Sequence, residues 1–348
     1  MISTLRNMLS FQSPVSNVIP IQMLRGIAAW LVVYHHYNQA FFSWDMSGSI
    51  FGSQVGDFFR YYGKLGVDIF FVISGFIIYL SATKDYDVKK FVKNRVSRVV
   101  PVYWFYTFIL VFIGFVIPEA VNSEWTISSL IRSLLFIYHD NPSPNLSYVP
   151  YLTVGWTLNF EMVFYGVCAI SILILREKWI VPIVLLMLLG RLLWHFEILD
   201  YFFDSKYIRE FGWGILIGYA YKNKLIPESN RLATVALLLS VFLFYLDGAY
   251  DHRIPAICLL VLGLLMLNKS MFNNRTSDML RKLGDYSYST YLIHAAVIIP
   301  LCSYFFPKGQ SYSNEWLLFS VYSVGTLLLS VVSFKYIEDN PLSRWIRK

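Results

Sequence analysis

The stretch "QMLRGIAAWLVVYHHYNQAFF", Gln22–Phe42, decides the class of this protein. It is apolar and long enough to lie in a bilayer, whose hydrocarbon core of about 30 Å takes roughly 20 helical residues. Yet it carries Arg25 near one end and His35 and His36 deeper in. Ionisable groups inside a membrane are costly and are kept for pairing or for a chemical task. Eleven residues turn a helix to within about 20° of its starting direction, so Arg25 and His36 share one face, about 16 Å apart along the axis. His35 lies about 80° away from Arg25 around the same helix. An imidazole titrates near neutral pH, so His36 reads as a general base. The competing reading is an interhelical hydrogen bond, and that is the one expected of His35.

Working outward, the rest of the chain has the same character. Of 348 residues, 56% are hydrophobic, more than a soluble globule can bury. Ten spans are expected, near 20–42, 66–82, 99–117, 152–175, 178–195, 207–221, 231–246, 254–268, 285–305 and 315–337. The fold class is therefore all-α: a polytopic membrane helical bundle, read as a single domain over residues 1–348 with no fused soluble hydrolase-like domain. The piece "WTISSLIRSLLFIY", Trp125–Tyr138, is short, amphipathic and carries Arg132, so it reads as an interfacial helix. With ten alternating spans, nineteen Lys and Arg fall on the side holding both termini and seven on the other. That bias places both termini in the cytoplasm. It also accounts for the net charge of +7 without a nucleic-acid partner. The first span is too long for a cleaved signal and ends without a small-residue cleavage site. Cys168, Cys258 and Cys302 sit inside apolar spans without ligand spacing, so neither a disulfide nor a metal site is expected.

Several polar residues interrupt the later spans. "GKLGVDIFFVISGFIIYL" places Asp68 near the outer end of the second span, with Ser74 and Gly75 near mid-depth. Gly75 allows close helix approach, and Ser74 can bond within the bundle. The loop "KDYDVKKFVKNRVSRVVPVYW" carries Arg95 and Arg98 at i, i+3, one basic ridge ahead of Pro101. That ridge is either an anchor on lipid phosphates or a clamp for an anionic co-substrate from the cytosol, since arginine's forked donors suit phosphate. "VGWTLNFEMVFYG" puts Glu161 inside a span, where a carboxylate needs a partner: Arg25, Arg95, Arg98 or a substrate group. "LGDYSYSTYLIHA" carries Tyr288, Tyr291 and His294, the last at a depth similar to His36. Glu338, at the edge of the tenth span, reads as a surface residue.

Together these segments resemble the acyltransferase-3 family of integral membrane acyltransferases, over nearly the whole chain. The family's basic residue followed by ten residues and a histidine is met by Arg25 and His36. Its G-[VI]-[DE]-x-F-F-V-x-S-G-F pattern is met from Gly66 to Phe76, and its R-x-x-R-[IVL]-x-P pattern by Arg95, Arg98 and Pro101. W-[ST]-L-x-x-E is met by Trp156, Thr157, Leu158 and Glu161, and S-Y-x-x-Y-L-x-H by Ser287, Tyr288, Tyr291, Leu292 and His294. The resemblance implies transfer of an acetyl group from acetyl-CoA to a hydroxyl of a surface carbohydrate, such as O-antigen or exopolysaccharide. The donor would be cytosolic and the acceptor periplasmic, across a bacterial inner membrane. It implies His36 as base, with Arg25, Glu161 and His294 in the catalytic set. It also implies that Arg95 and Arg98 handle the acyl-CoA; on position, Tyr288 and Tyr291 are candidates beside them, and Asp68, Ser74 and Trp156 are candidates for the acceptor, with no metal expected. One departure stands out: the family's terminal Glu-x-Pro is here Glu338 and Pro341, separated by two residues. Two other readings remain: a transporter of acyl groups or lipid-linked sugar without covalent chemistry, and an acyltransferase with another donor such as succinyl-CoA.

Overall fold

A computed structural model of the chain describes residues 18–42, 49, 51–144, 146–197, 205–246, 252–306 and 312–339. The expected termini, Lys308 and Pro341 lie outside the described residues. Helices fill most of the rest, and no strand occurs among the described residues. A helix stands at each of the ten expected places: α1 (Ile19–Phe41), α3 (Leu65–Ala82), α4 (Val88–Val116), α6 (Trp156–Leu175), α7 (Ile180–His195), α8 (Lys206–Lys222), α9 (Asn230–Leu246), α10 (Arg253–Met266), a helix starting at Ser287, and α14 (Tyr312–Ser333). Three shorter helices lie between them: α2 (Gly52–Tyr62), α5 (Ile127–Leu134) and α11 (Arg275–Asp285). The helix from Ser287 is α12 (Ser287–Ile293), a π turn (His294–Ile298) and α13 (Ile299–Phe305) in one rod.

Among the described residues, five helical runs are long and apolar enough to cross a membrane: 52–82, 88–116, 153–178, 287–305 and 315–338. Three shorter apolar helices accompany them, in α7, α9 and α10. Their outer faces carry large exposed apolar side chains: Phe115, Leu173, Ile174, Leu238 and Tyr245 are all more than half exposed. In water such a surface would aggregate; against lipid it is the expected belt.

Local chemistry sets the helix starts. Asp87 caps α4, its carboxylate accepting from the Lys90 amide at 3.1 Å. The fourth helix thus begins eleven residues before the expected 99 and runs through Pro101 without ending. The Lys- and Arg-rich segment read as a loop is helix, because Asp87 caps it and Phe91 and Arg95 give it a face to bury. Thr126 and Ser129 form a capping box at the start of α5, and Asn274 caps α11.

Helix α1 runs through the middle of the bundle. Its first half (Ile21, Leu24, Ala28) packs with α3, α8 and α10. Its second half (Val33, Tyr37, Phe41) packs on Tyr322 of α14 and, with α12, joins the larger apolar cluster that also holds α4 and α6. Glycine makes the closest approach possible where α3 meets α8: a Cβ on Gly75 would collide with the Phe211 carbonyl oxygen, and one on Gly214 with the Val72 carbonyl oxygen.

Candidate active site

Two cavities lie at successive levels of α1 and the ninth span. The first has about 810 Å³ of empty space, part of it open to solvent. Arg25 of α1, Ser74 of α3, Arg95 and Arg98 of α4, Glu161 of α6 and Tyr288 and Tyr291 of α12 all line it. The second has about 970 Å³, and His36, Gln39, Asn122, Thr153 and Ser303 supply its polar lining. Along α1 the lining moves from Arg25 to His36–Phe41, from Glu161 of α6 back to Thr153 in the turn before that helix, and along the ninth span from Tyr288 to Phe306. The two ends are thus separated mainly by helix rise.

The Arg25 end gathers three guanidinium groups, Arg25, Arg95 and Arg98, around one volume. Arg95 is buried, lies 6.0 Å from the ring centroids of both Phe91 and Tyr165, and keeps its Nε without a hydrogen-bond partner. A buried donor left open beside a cavity is a place for an acceptor that the protein itself does not supply. Arg25 is held from behind: its Nη1 donates to Gln22 Oε1 at 3.2 Å, and Gln22 Nε2 donates to Asp285 Oδ1 at 2.6 Å. Glu161 takes its hydrogen bonds from hydroxyls, Ser74 Oγ at 3.4 Å and Tyr165 Oη. Tyr288 Oη donates to the Val99 carbonyl at 2.8 Å, tying α12 to α4.

At the other end, His36 and His294 touch. His36 Nδ1 lies 2.9 Å from His294 Nε2, and His294 Nδ1 lies 3.0 Å from the Thr290 carbonyl oxygen. A carbonyl oxygen only accepts, so His294 Nδ1 carries hydrogen and its Nε2 is a lone pair. His36 Nδ1 must then donate to it, which leaves the lone pair of His36 on Nε2. The network thus assigns the basic nitrogen of the one histidine that lines the second cavity. His294 begins the π turn of the ninth span, the kind of local rewinding that re-aims side chains at functional places. His35 turns away and places Nδ1 2.9 Å from the Phe59 carbonyl of α2.

The wall between the cavities is narrow. Tyr291, which lines the first, donates to the carbonyl of Val154, which lines the second, at 2.8 Å. Its hydroxyl also lies 3.0 Å from Thr157 Oγ1.

Of the residues singled out from sequence, Arg25, Ser74, Arg95, Arg98, Glu161, Tyr288 and Tyr291 meet at the first cavity. His36 and His294 meet as a pair. Asp68 and Trp156 line neither cavity: Asp68 is buried in an ion pair with Lys206 at 2.7 Å, and Trp156 packs 5.1 Å from the Tyr207 ring. Glu338 corrects the surface reading. It is buried on a π turn and accepts from Ser289 Oγ at 2.9 Å, because the rewound helix end swings it inward. Sequence reading gives no role to Tyr165 or Gln22, and names Thr157 only as part of a motif. The i, i+4 spacing of Tyr165 from Glu161 was the available signal. No three His, Cys, Asp or Glu side chains gather as a metal-ion site among the described residues.

A family described as an acyltransferase domain matches residues 19–335. The exopolysaccharide production protein ExoZ of Rhizobium meliloti is 34% identical over 247 residues, covering 68% of this chain and 77% of that protein. A putative acetyltransferase of Acidianus two-tailed virus is 24% identical, covering 79% of this chain and 81% of that protein. The O-acetyltransferase OatA of Staphylococcus aureus is also 24% identical over 79% of this chain, which spans about half (52%) of OatA. No solved structure matches.

Proposed function

The chain belongs to the acyltransferase-3 family, and from that premise we propose that it moves an acetyl group from acetyl-CoA to a hydroxyl of a carbohydrate, across the membrane it spans. The observation that carries this reading is the stacking of a three-arginine cavity below a histidine-lined one. The donor set fits the donor molecule. Arginine forks suit the phosphates of CoA, and Arg95 Nε is an open donor for one of them. All ten helices are taken to cross, with both termini cytoplasmic, in the inner membrane of a bacterium. The acceptor is a lipid-linked or polymeric sugar such as an exopolysaccharide or O-antigen; ExoZ is named for exopolysaccharide production and OatA for O-acetyl transfer.

In this mechanism the acceptor hydroxyl enters the His36 end. His36 Nε2 takes its proton as the oxygen attacks the thioester carbonyl carbon. The new C–O bond forms as the C–S bond breaks, and the proton held on His36 Nε2 passes to the departing sulfur, so CoA leaves as the thiol while the arginines keep its phosphates. His294 holds His36 in the reactive tautomer and shares the positive charge through its bond to the Thr290 carbonyl. Glu161, with Ser74 and Tyr165, shapes the donor cavity. The Tyr291–Thr157–Val154 contact must part for the acetyl end to meet the hydroxyl. Asp68 and Trp156 act from behind, fixing α3 and α6 against α8.

The test uses sealed vesicles of known orientation. Acetyl-CoA on the cytoplasmic face should support acetylation of a carbohydrate acceptor confined to the opposite face, read by mass spectrometry. Transfer only when both substrates share the cytoplasmic side sinks the cross-membrane reading. Acceptor movement without loss of thioester turns the protein into a transporter, and faster use of succinyl-CoA renames the donor.

A further inference from the structure

The second cavity differs from the first in one respect that bears on the acceptor. Among its described lining residues none carries a fixed charge. Gln39, Asn122, Thr153 and Ser303 line it, and no other described residue engages their side chains in a hydrogen bond; the neighbouring Asn38, by contrast, donates to the Gly56 carbonyl at 2.9 Å. Four neutral groups that can both donate and accept are thus left open, around the histidine whose Nε2 is basic. Phe41 and Phe306 add apolar surface beside them.

Resting on the acyl-transfer reading above, we infer that this cavity is an acceptor site for an uncharged sugar, read by Gln39, Asn122 and Ser303, and that it discriminates against acidic sugars. The physical basis is desolvation. A sugar hydroxyl trades water for an amide or hydroxyl at little cost, and its C–H faces lie on phenylalanine. A carboxylate brought into the same half-open space gives up part of its water and meets no cation among the described lining residues, and an anion partly withdrawn from water without a partner is penalised. The arginines that could pair with it are at the far end, committed to the other substrate. Gln39 stands three residues after His36, on the same side of α1, so the group that reads the sugar and the group that takes its proton belong to one helix turn.

The experiment measures binding and transfer separately, on the full-length protein in detergent and in proteoliposomes. The probes are 4-nitrophenyl β-D-glucopyranoside, the corresponding glucuronide and the corresponding glucuronamide; the amide removes the charge while also lacking the 6-hydroxyl. Ligand-dependent thermal stabilisation should give the glucoside and the amide similar affinities and the glucuronide an affinity about tenfold weaker or worse. Asn122→Ala and Gln39→Ala should each weaken glucoside binding by roughly two- to tenfold, one neutral hydrogen bond. Gln39→Lys should narrow the gap between glucoside and glucuronide. A glucuronide that binds as well as the glucoside overturns the proposal, and so do alanine variants with unchanged affinity. If the neutral sugars bind with this pattern but no acetylated sugar forms from acetyl-CoA, the cavity assignment stands and the transferase reading falls. If nothing binds, both fall.

Discussion

The cavity at the Arg25 end and the cavity at the His36 end share α1 and the ninth span, yet their chemistry is opposite. One presents three arginines and a glutamate; the other presents amides, hydroxyls and an imidazole. In the first, polar groups are held from behind: Gln22 holds Arg25, and two hydroxyls hold Glu161. In the second, only His36 is held, through His294, while the other polar groups stand open. The difference teaches which end is built for a fixed anionic partner and which for a neutral, variable one. A clamp for phosphates gains from rigid cations, because charge-assisted bonds are strong when geometry is set beforehand. A reader of hydroxyls needs groups that can turn.

If the division of labour is real, the largest effect comes from His36. His36→Ala should lower the rate of acyl transfer by about 10²–10⁴-fold, the usual worth of a positioned base. Donor binding should be unchanged, since His36 does not line the arginine cavity. His35→Ala, which removes a bond to the Phe59 carbonyl outside both cavities, should stay within about tenfold of wild type. Transfer rates in membranes and acetyl-CoA binding to the purified protein measure the two quantities. Equal losses for both histidines, or a donor-binding defect in His36→Ala, would erase the boundary between the ends.

A smaller but sharper effect is expected at the other end. Arg95→Ala with Arg98→Ala removes two candidate phosphate contacts, each worth about 1.5–3 kcal/mol. The donor KM should therefore rise by at least about tenfold, while the acceptor KM stays put. A double variant with an unchanged donor KM returns the pair to the role of lipid-phosphate anchor that its sequence position equally allows.

Helix periodicity made much of this legible before the structure. The eleven-residue spacing of Arg25 and His36 is geometry, and a helix stands at each of the ten expected places, five of them, among the described residues, within runs long and apolar enough to cross a membrane. What stayed hidden was of three kinds. The start of α4 was lost because hydropathy marks where a helix meets lipid, not where it begins; Asp87 marks the latter. The burial of Glu338 was lost because a π turn adds a residue to the helical count, so a regular 100° step points it the wrong way. The second cavity was lost because Gln39, Asn122 and Ser303 come from three distant parts of the chain and follow no spacing rule. The contact of His36 with His294 stands between these cases: equal depth was readable, but the 2.9 Å approach depends on how α1 and the ninth span pack.

The smallest effect concerns how Arg25 is held. A carboxylate only accepts, so Asp285 at 2.6 Å forces the amide nitrogen of Gln22 toward itself and turns the amide oxygen toward Arg25. Without that constraint the amide can flip and present its NH₂ to a guanidinium, which has nothing to accept with. Asp285→Leu and Gln22→Ala should therefore each raise the donor KM by roughly two- to tenfold, the range of one hydrogen bond, with kcat for the neutral acceptor little changed. Asp285→Asn retains an acceptor oxygen and should recover most of the loss. The decisive variant is the double, Gln22→Ala with Asp285→Leu. If the two residues act as one relay onto Arg25, the double should be no worse than the worse single, because the second change removes a contact already broken. Multiplicative losses would mean that Asp285 and Gln22 stabilise the protein independently. The arginine cavity would then owe its rigidity to the packing of α11 on α1, where Gly284 lies against the Gln22 backbone, and not to a hydrogen-bonded chain.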